Sequence, residues 1–345
     1  MFGIGIIEGF FGPEWTWEAR HHHCNNLASH GGAFYIYAPK RDSFLRKNWT
    51  QNHSMETWKQ LRQLSTQCQN NHVAFGIGLS PFEVHARWNQ QTKTLLRDKI
   101  RTLHELDFSY LGLFFDDMKG APDLAEKQIE IVEYVQCITD KTILFCPTYY
   151  SDDSILDKVF GQRPTDYLER IGSLPENIQI FWTGNKVISK TIAPAELDEV
   201  AEVLRRKPFV WDNYFANDGP KQCKFLKLQP FEGRSKAVFE RSAGWALNLM
   251  NQSMVSEILF ASAVPVLRDG ENPSDSFQRE LRKSVGEHWD FINKHRTTFV
   301  DVGLDGLGEQ LKKEIVNSPV PDGPLKEIVD WANGKYLVGP ECLTD

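Results

Sequence analysis

The chain lacks most of the signals that mark common functions. Its six cysteines, Cys24, Cys68, Cys137, Cys146, Cys223 and Cys342, lie far apart and form no CxxC pair. That spacing argues against a zinc ribbon or a disulfide framework and fits reduced thiols in a cytoplasmic protein. No apolar stretch approaches the roughly 20 residues needed to span a bilayer, so no membrane partner is expected. The start, Met1-Phe2-Gly3-Ile4-Gly5-Ile6-Ile7, has no basic n-region and no small-residue cleavage site, which speaks against export by a standard signal peptide. Positive charge is also scarce: the net charge is -7 and the pI about 5.8. Nucleic acid binding needs a concentrated basic face, and the longest basic cluster, Leu204-Arg205-Arg206-Lys207, reads as a solvated helix end.

Several catalytic signatures are missing as well. There is no HExxH and no Walker loop, and Gly78-Leu79-Ser80-Pro81-Phe82 lacks the closing glycine of a nucleophile elbow. Gly3 to Gly9 misses the dinucleotide spacing by one residue, so no nucleotide cofactor is expected. His21-His22-His23 occupy consecutive helix positions, which point in different directions and cannot converge on one metal ion. Neither a metal site nor a cofactor is therefore anticipated, and the oligomeric state is not legible.

What is present is ordinary globular material with an unusual rhythm. Over 345 residues, 41% hydrophobic and 25% charged, short apolar runs alternate with amphipathic stretches. The strand candidates number about eight: Phe2–Glu8, Ala33–Ala38, Val73–Leu79, the run from Tyr110, Lys141–Cys146, Ile178–Trp182, Pro208–Trp211 and Gly244–Asn248. Helices are expected near Glu18–His30, Met55–Asn70, Lys93–Leu106, Ala125–Thr139, Pro194–Arg206 and Met254–Val264. Eight strands alternating with helices predict an α/β fold, a (β/α)8 TIM-type barrel. The polar, turn-rich Asp269–Ser276 marks a boundary, giving a catalytic barrel over 1–268 and a small C-terminal helical region over 269–345. In the latter, helices are expected over Phe277–His295, Leu307–Val316 and Leu325–Asn333, with a Pro/Gly break at Ser318–Pro324. No internal repeat or low-complexity tract occurs.

One stretch organises the functional reading. Tyr110-Leu111-Gly112-Leu113-Phe114-Phe115 is a near-continuous apolar run that ends on Asp116-Asp117. It suits a strand buried on both faces. Two carboxylates near one site split their pKa values, so one can carry a proton while the other stays charged. The alternatives are a helix cap beside a solvated Asp, or two ligands for a metal. Adjacent strand residues point to opposite faces, so both acids reach one site only if the strand breaks there. Other strands also end in polar groups: Glu8-Gly9, Lys40-Arg41-Asp42, Thr148-Tyr149-Tyr150, Thr183, Asp212-Asn213 with Asp218 nearby, and Asn248. Such a ring, with Tyr and Trp among it, suits a sugar, whose hydroxyls need bonded partners and whose ring faces need aromatic walls. Taken singly, Trp211 and Cys146 also read as core, Asp218 as a turn residue and Lys40 as a surface charge.

These residues carry a resemblance. Glu8-Gly9-Phe10-Phe11-Gly12-Pro13-Glu14-Trp15, Tyr35–Lys40, Phe114–Asp117, Cys146–Tyr150, Phe181–Gly184, Trp211–Asp218 and Asn248 resemble the ordered motifs of glycoside hydrolase family 84, the O-GlcNAcase and β-N-acetylglucosaminidase family. The resemblance covers roughly residues 3 to 265 and leaves the last eighty or so uncovered. It implies a retaining exo-β-N-acetylglucosaminidase acting on β-GlcNAc-terminated glycosides or glycopeptides, in which the substrate's acetamide oxygen is the nucleophile and an oxazoline the intermediate. Asp116 would orient the acetamide N–H, and Asp117 would be the acid and then the base. Tyr150, Trp211 and Cys146 would wall the acetamide pocket, and Asn213 would hold the acetamide and Asp116 in register. Asp218, Asn248, Lys40 and the Gly9 carbonyl would bind ring hydroxyls. Tyr149 stands where members show Glu, Leu249 where they show Pro, and the C-terminal region is shorter than the long helical stalk of some members. The other function class is a non-catalytic barrel that binds GlcNAc or docks glycosylated partners.

Overall fold

The apolar runs become short parallel strands: β1 Ile4–Glu8, β2 Phe34–Tyr37, β3 Ala74–Leu79, β4 Tyr110–Phe114, β5 Thr142–Cys146, β6 Gln179–Trp182, β7 Phe209–Asp212 and β8 Gly244–Asn248. The computed structural model describes residues 2–316 and 322–344. Each strand pairs with the next in sequence, and β8 closes on β1 with Ile4 opposite Trp245. The result is a closed (β/α)8 barrel, all eight expected strands being present among the described residues.

Helices cover the outside of the barrel. They are α1 Trp17–Leu27, α2 Met55–Asn70, α3 Gln90–Leu103, α4 Leu124–Gln136, α5 Ser154–Phe160, α6 Tyr167–Ile171, α7 Pro194–Leu204, α8 Lys236–Phe239 and α9 Ser253–Asp269. The starts follow local chemistry: Thr16, Ser54 and Asn89 each cap a helix by accepting from backbone N–H groups of the first turn. The short α5, α6 and α8 were not anticipated, being too brief to show a period. Arg206 corrects another expectation. Arg205 and Lys207 are exposed as expected, but the half-buried guanidinium of Arg206 donates to the carbonyls of Gly172, Leu174, Pro175 and Ile178, clasping the loop that leads into β6.

An aromatic column fills the barrel. Phe34 packs on Phe209 at 5.6 Å, Phe209 on Phe181 at 5.0 Å, and Phe181 and Phe114 on Trp211 at 5.2 and 5.3 Å, all edge-on. Trp211 thus tops the core and floors the mouth. The glycines of β3 and β4 make room for this column: a Cβ on Gly78 or Gly112 would lie 2.4 Å from the Phe114 ring.

Beyond β8 the helices continue as α10 Pro273–Val285, α11 Trp289–Thr297, α12 Glu309–Val316 and α13 Gly323–Ala332. Two boundaries differ from the sequence expectation. Helix α9 runs through Pro265 to Asp269, because Val264, Val266 and Leu267 are buried and their packing outweighs the helix-breaking tendency. The single helix expected over Phe277–His295 is split at Gly286, whose φ of 53° only glycine adopts readily. Of the break expected at Ser318–Pro324, the part up to Pro321 lies outside the described residues. Glu327 of α13 accepts from Val255 N–H and the Ser253 hydroxyl, both at 2.9 Å, at the start of α9. Trp331 and Ile328 join the same buried cluster as the barrel.

Gly112→Ala forces the Phe114 ring off its site. The variant should lose about 1–3 kcal/mol of stability, the usual cost of overpacking, against at most about 1 kcal/mol regained by removing glycine's unfolded-state freedom. An unchanged urea midpoint would contradict the packing described.

Candidate active site

Strand pairing in β4 stops at Phe114, but Phe115 remains anchored. Its N–H donates to the Cys146 carbonyl at 2.9 Å and its carbonyl accepts from the Thr148 hydroxyl at 2.7 Å. Thr148 is held in turn by Gln128 at 2.8 Å. Asp116 and Asp117 then enter a turn, and this break lets two adjacent side chains face one cavity.

The cavity sits at the C-terminal ends of the strands, where barrel sites lie. All ten residues singled out from the sequence line it. Gly9, Lys40, Asp116 and Asp117 come from the β1, β2 and β4 ends, Cys146 and Tyr150 from β5, Trp211, Asn213 and Asp218 from β7, and Asn248 from β8. The Lys40 ammonium bonds Asp116, and it reaches Asp117 at 3.0 Å. Arg46 adds a second cation 3.4 Å from Asp117. A linked set of amides closes the β8 side. The Gly9 N–H donates to Asn248 Oδ1 at 3.2 Å, and Asn248 Nδ2 donates to Asn213 Oδ1 at 2.9 Å. Asn213 Oδ1 also accepts from the Trp211 indole at 3.0 Å. The amide donor of Asn213 goes to the Val187 carbonyl at 2.9 Å and not to Asp116. Gly9 must be glycine, since a Cβ there would lie 2.3 Å from the Trp211 ring.

Charge is distributed unevenly within the acid pair. Burial raises the Asp116 pKa, and Lys40 only partly offsets it. Burial pushes Asp117 upward too, but Lys40 and Arg46 together outweigh it and hold that carboxyl below its usual range. Against its own burial, the two carboxylates keep Lys40 protonated. Asp116 Oδ1 is buried and, among the described residues, has no hydrogen-bond partner. Burial lifts Asp218 to about 6, although its Oδ2 accepts from the Phe11 N–H at 2.8 Å. Burial also raises the Cys146 thiol and the Tyr150 phenol. Among the described residues no group of three or more His, Cys, Asp or Glu is gathered that could hold a metal ion.

A family model for β-N-acetylglucosaminidase, NAGidase, matches residues 4–297 of the chain. The chain belongs to this family. The Protein O-GlcNAcases of Rattus norvegicus and Mus musculus are each 31% identical over 261 residues, a match covering 72% of this chain and 28% of theirs. The chain therefore spans little more than a quarter of the length of these curated relatives. Among solved structures, a mutant of the Thermobaculum terrenum O-GlcNAc hydrolase superposes with a TM-score of 0.76 at 25% identity, covering 96% of this chain and 72% of that one.

Within this family member, some polar strand ends serve the scaffold instead of the mouth. Glu8 is buried against Arg20, which donates to it at 2.6 and 2.9 Å, and accepts from the Tyr35 hydroxyl at 2.7 Å. Asp212 is likewise paired with Arg234 at 2.9 Å and accepts from the Trp245 indole at 3.1 Å. Asp42 accepts from the Tyr37 hydroxyl at 3.0 Å. The three histidines do diverge: His21 meets Gln67, His22 meets Glu257, and His23 meets the Ser253 carbonyl. Tyr149 and Leu249 are both buried, and the Tyr149 hydroxyl donates to the Gly161 carbonyl at 2.6 Å.

Sequence reasoning missed Arg46, and it missed the segment after Tyr336. Cys342 and Thr344 of that segment line the cavity together with Tyr150. Nothing local in Leu337–Thr344 marks it as part of a site, because its proximity to the barrel mouth is set by the helices that precede it.

Arg46→Met removes one of the two cations that hold Asp117 down. The Asp117 carboxyl should then titrate higher than in the parent in carbon-detected NMR of labelled aspartate. A titration unmoved by the substitution would show that Arg46 does not act on the pair.

Proposed function

We propose that this chain is a retaining exo-β-N-acetylglucosaminidase that cleaves terminal β-linked GlcNAc with the help of the substrate's own acetamide. One observation carries the reading: the orphaned Asp116 Oδ1, buried in a cavity walled by Tyr150, Trp211 and Cys146. A buried carboxylate oxygen without a donor is costly, and an acetamide N–H entering that cavity would satisfy it. The proposed sequence starts with the acetamide oxygen attacking C1 while Asp116 accepts the N–H and balances the positive charge that develops. Asp117 gives its proton to the departing glycosidic oxygen. It then takes a proton from the water that opens the oxazoline, returning β-GlcNAc and the starting state. An intramolecular nucleophile avoids the entropy of recruiting one.

Burial and the two cations hold Asp117 low and Asp116 high, the reverse of what these roles need. We infer that sugar binding redistributes the cations. Lys40 would turn to a ring hydroxyl, and Asp117, released from it and opposed by the anion beside it, would rise into the range of a working acid. The unpaired cysteines support placement in a reducing, cytoplasmic setting. No helix is long and apolar enough to cross a membrane among the described residues.

Purified protein should release the chromophore from an aryl β-GlcNAc and hardly from the matching β-glucoside, which lacks the acetamide. Asp117→Asn should cost most on the more basic leaving groups, on the order of 100-fold or more. Equal turnover of both sugars would sink the acetamide mechanism. Tight GlcNAc binding without any cleavage would favour the non-catalytic barrel.

The cavity holds about 60 Å³ with Cys342 and Thr344 in its wall, well below the roughly 300–1,000 Å³ of a ligand site. We propose that residues 269–345 are a closing element of the same unit and that the 340–344 segment moves aside when sugar enters. A chain shortened to end at Val338 should show a lower KM for the aryl glycoside at similar kcat. A KM unchanged or raised would mean that the segment builds the site and does not compete for it.

A further inference from the structure

A second cavity, of about 770 Å³, opens beside the first, and Phe11, Lys40 and Asp117 line both. Asp117, which under the proposed roles protonates the leaving group, thus faces both cavities. Its walls carry more positive than negative charge, in a chain whose net charge is -7. Arg41 and Lys47 project from the loop after β2, and Lys119 follows the acid pair; all three are exposed and make no ion pair among the described residues. Arg46 lies over the rings of Phe11 and Phe82, at 5.4 and 5.5 Å. The acids that face these cations are Asp117, Glu83, which is paired with Arg87 at 3.3 Å, and Glu341. Four of the cations, Lys40, Arg41, Arg46 and Lys47, come from the loop after β2, and the fold adds Arg87 and Lys119 from other loops. A cation-lined cleft in an acidic protein concentrates anions where the rest of the surface repels them.

The occupant already present indicates its chemistry. Glu341 of the 340–344 segment lines this cavity, while its neighbour Cys342 lines the sugar pocket. A run of turns in the polypeptide therefore passes between the two with an acidic residue on the basic side. Resting on the glycosidase reading above, we propose that this cavity is the leaving-group site and selects polypeptides that carry Asp or Glu close to the glycosylated Ser or Thr.

The test compares two β-GlcNAc-threonine peptides, identical except for Asp/Glu or Asn/Gln at the flanking positions. Parent enzyme is set against the combined Arg41→Gln, Lys47→Gln, Lys119→Gln variant. In the parent at low salt the ratio of kcat/KM, acidic over neutral, should be on the order of tenfold, and it should fall toward one in the variant and in about 0.5 M salt. Because the readout is a ratio within each protein, a general loss of activity does not mimic the effect. Brisk turnover of both peptides at a parent ratio near one overturns the acidic preference and leaves the glycosidase reading standing. Cleavage of neither peptide, with none of the aryl glycoside, overturns both. Preference for a carboxylate-bearing GlcNAc oligosaccharide over either peptide overturns the polypeptide assignment.

Discussion

Two carboxylates on adjacent residues share a buried cavity here because one ammonium lies between them. Lys40 bonds both Asp116 and Asp117, and without that cation burial would drive the pair to protonate. The surroundings are arranged to place this triad. Phe115 is tied by two hydrogen bonds to Cys146 at the end of β5 and to Thr148 just beyond it, so the chain stays in register until the turn that swings both acids inward. Trp211, at the top of the aromatic column, supplies the floor, and Gly9 permits its close approach. The same cation touches both acids and so sets how charge is shared between them.

The barrel separates scaffold carboxylates from those of the mouth by giving the former a complete set of partners. Glu8 with Arg20 and Asp212 with Arg234 are enclosed, doubly bonded pairs whose remaining acceptor sites are taken by aromatic hydroxyl or indole groups. Among the described residues, Asp116 is left with one oxygen unmatched. A fully satisfied buried ion stabilises a geometry, whereas an unsatisfied one is kept only where a ligand completes it.

The chain was legible where function and local pattern coincide. Eight apolar runs of strand length, separated by helical periods, suffice for a closed parallel barrel, because each buried strand needs a helix on its outer face. Asp116-Asp117 and the residues at the other strand ends were legible for the same reason, since strand order fixes which ends meet. Short helices such as Ser154–Phe160 show too few turns to reveal a period, and the passage of α9 through Pro265 depends on packing no local rule contains.

By itself, then, the sequence determined the barrel, the position of the acid pair at the end of β4 and the need for a break in that strand. Those follow from hydrophobic period and from the cost of burying like charges. The tertiary structure decided which polar strand ends face the mouth and which are consumed by Arg20 and Arg234. It also decided that Arg46 reaches Asp117, that Arg41, Lys47 and Lys119 gather beside it, and that the 340–344 segment enters the site. Such contacts join residues tens to hundreds of positions apart, and their partners are set by the closure of the barrel and not by the neighbours of either residue.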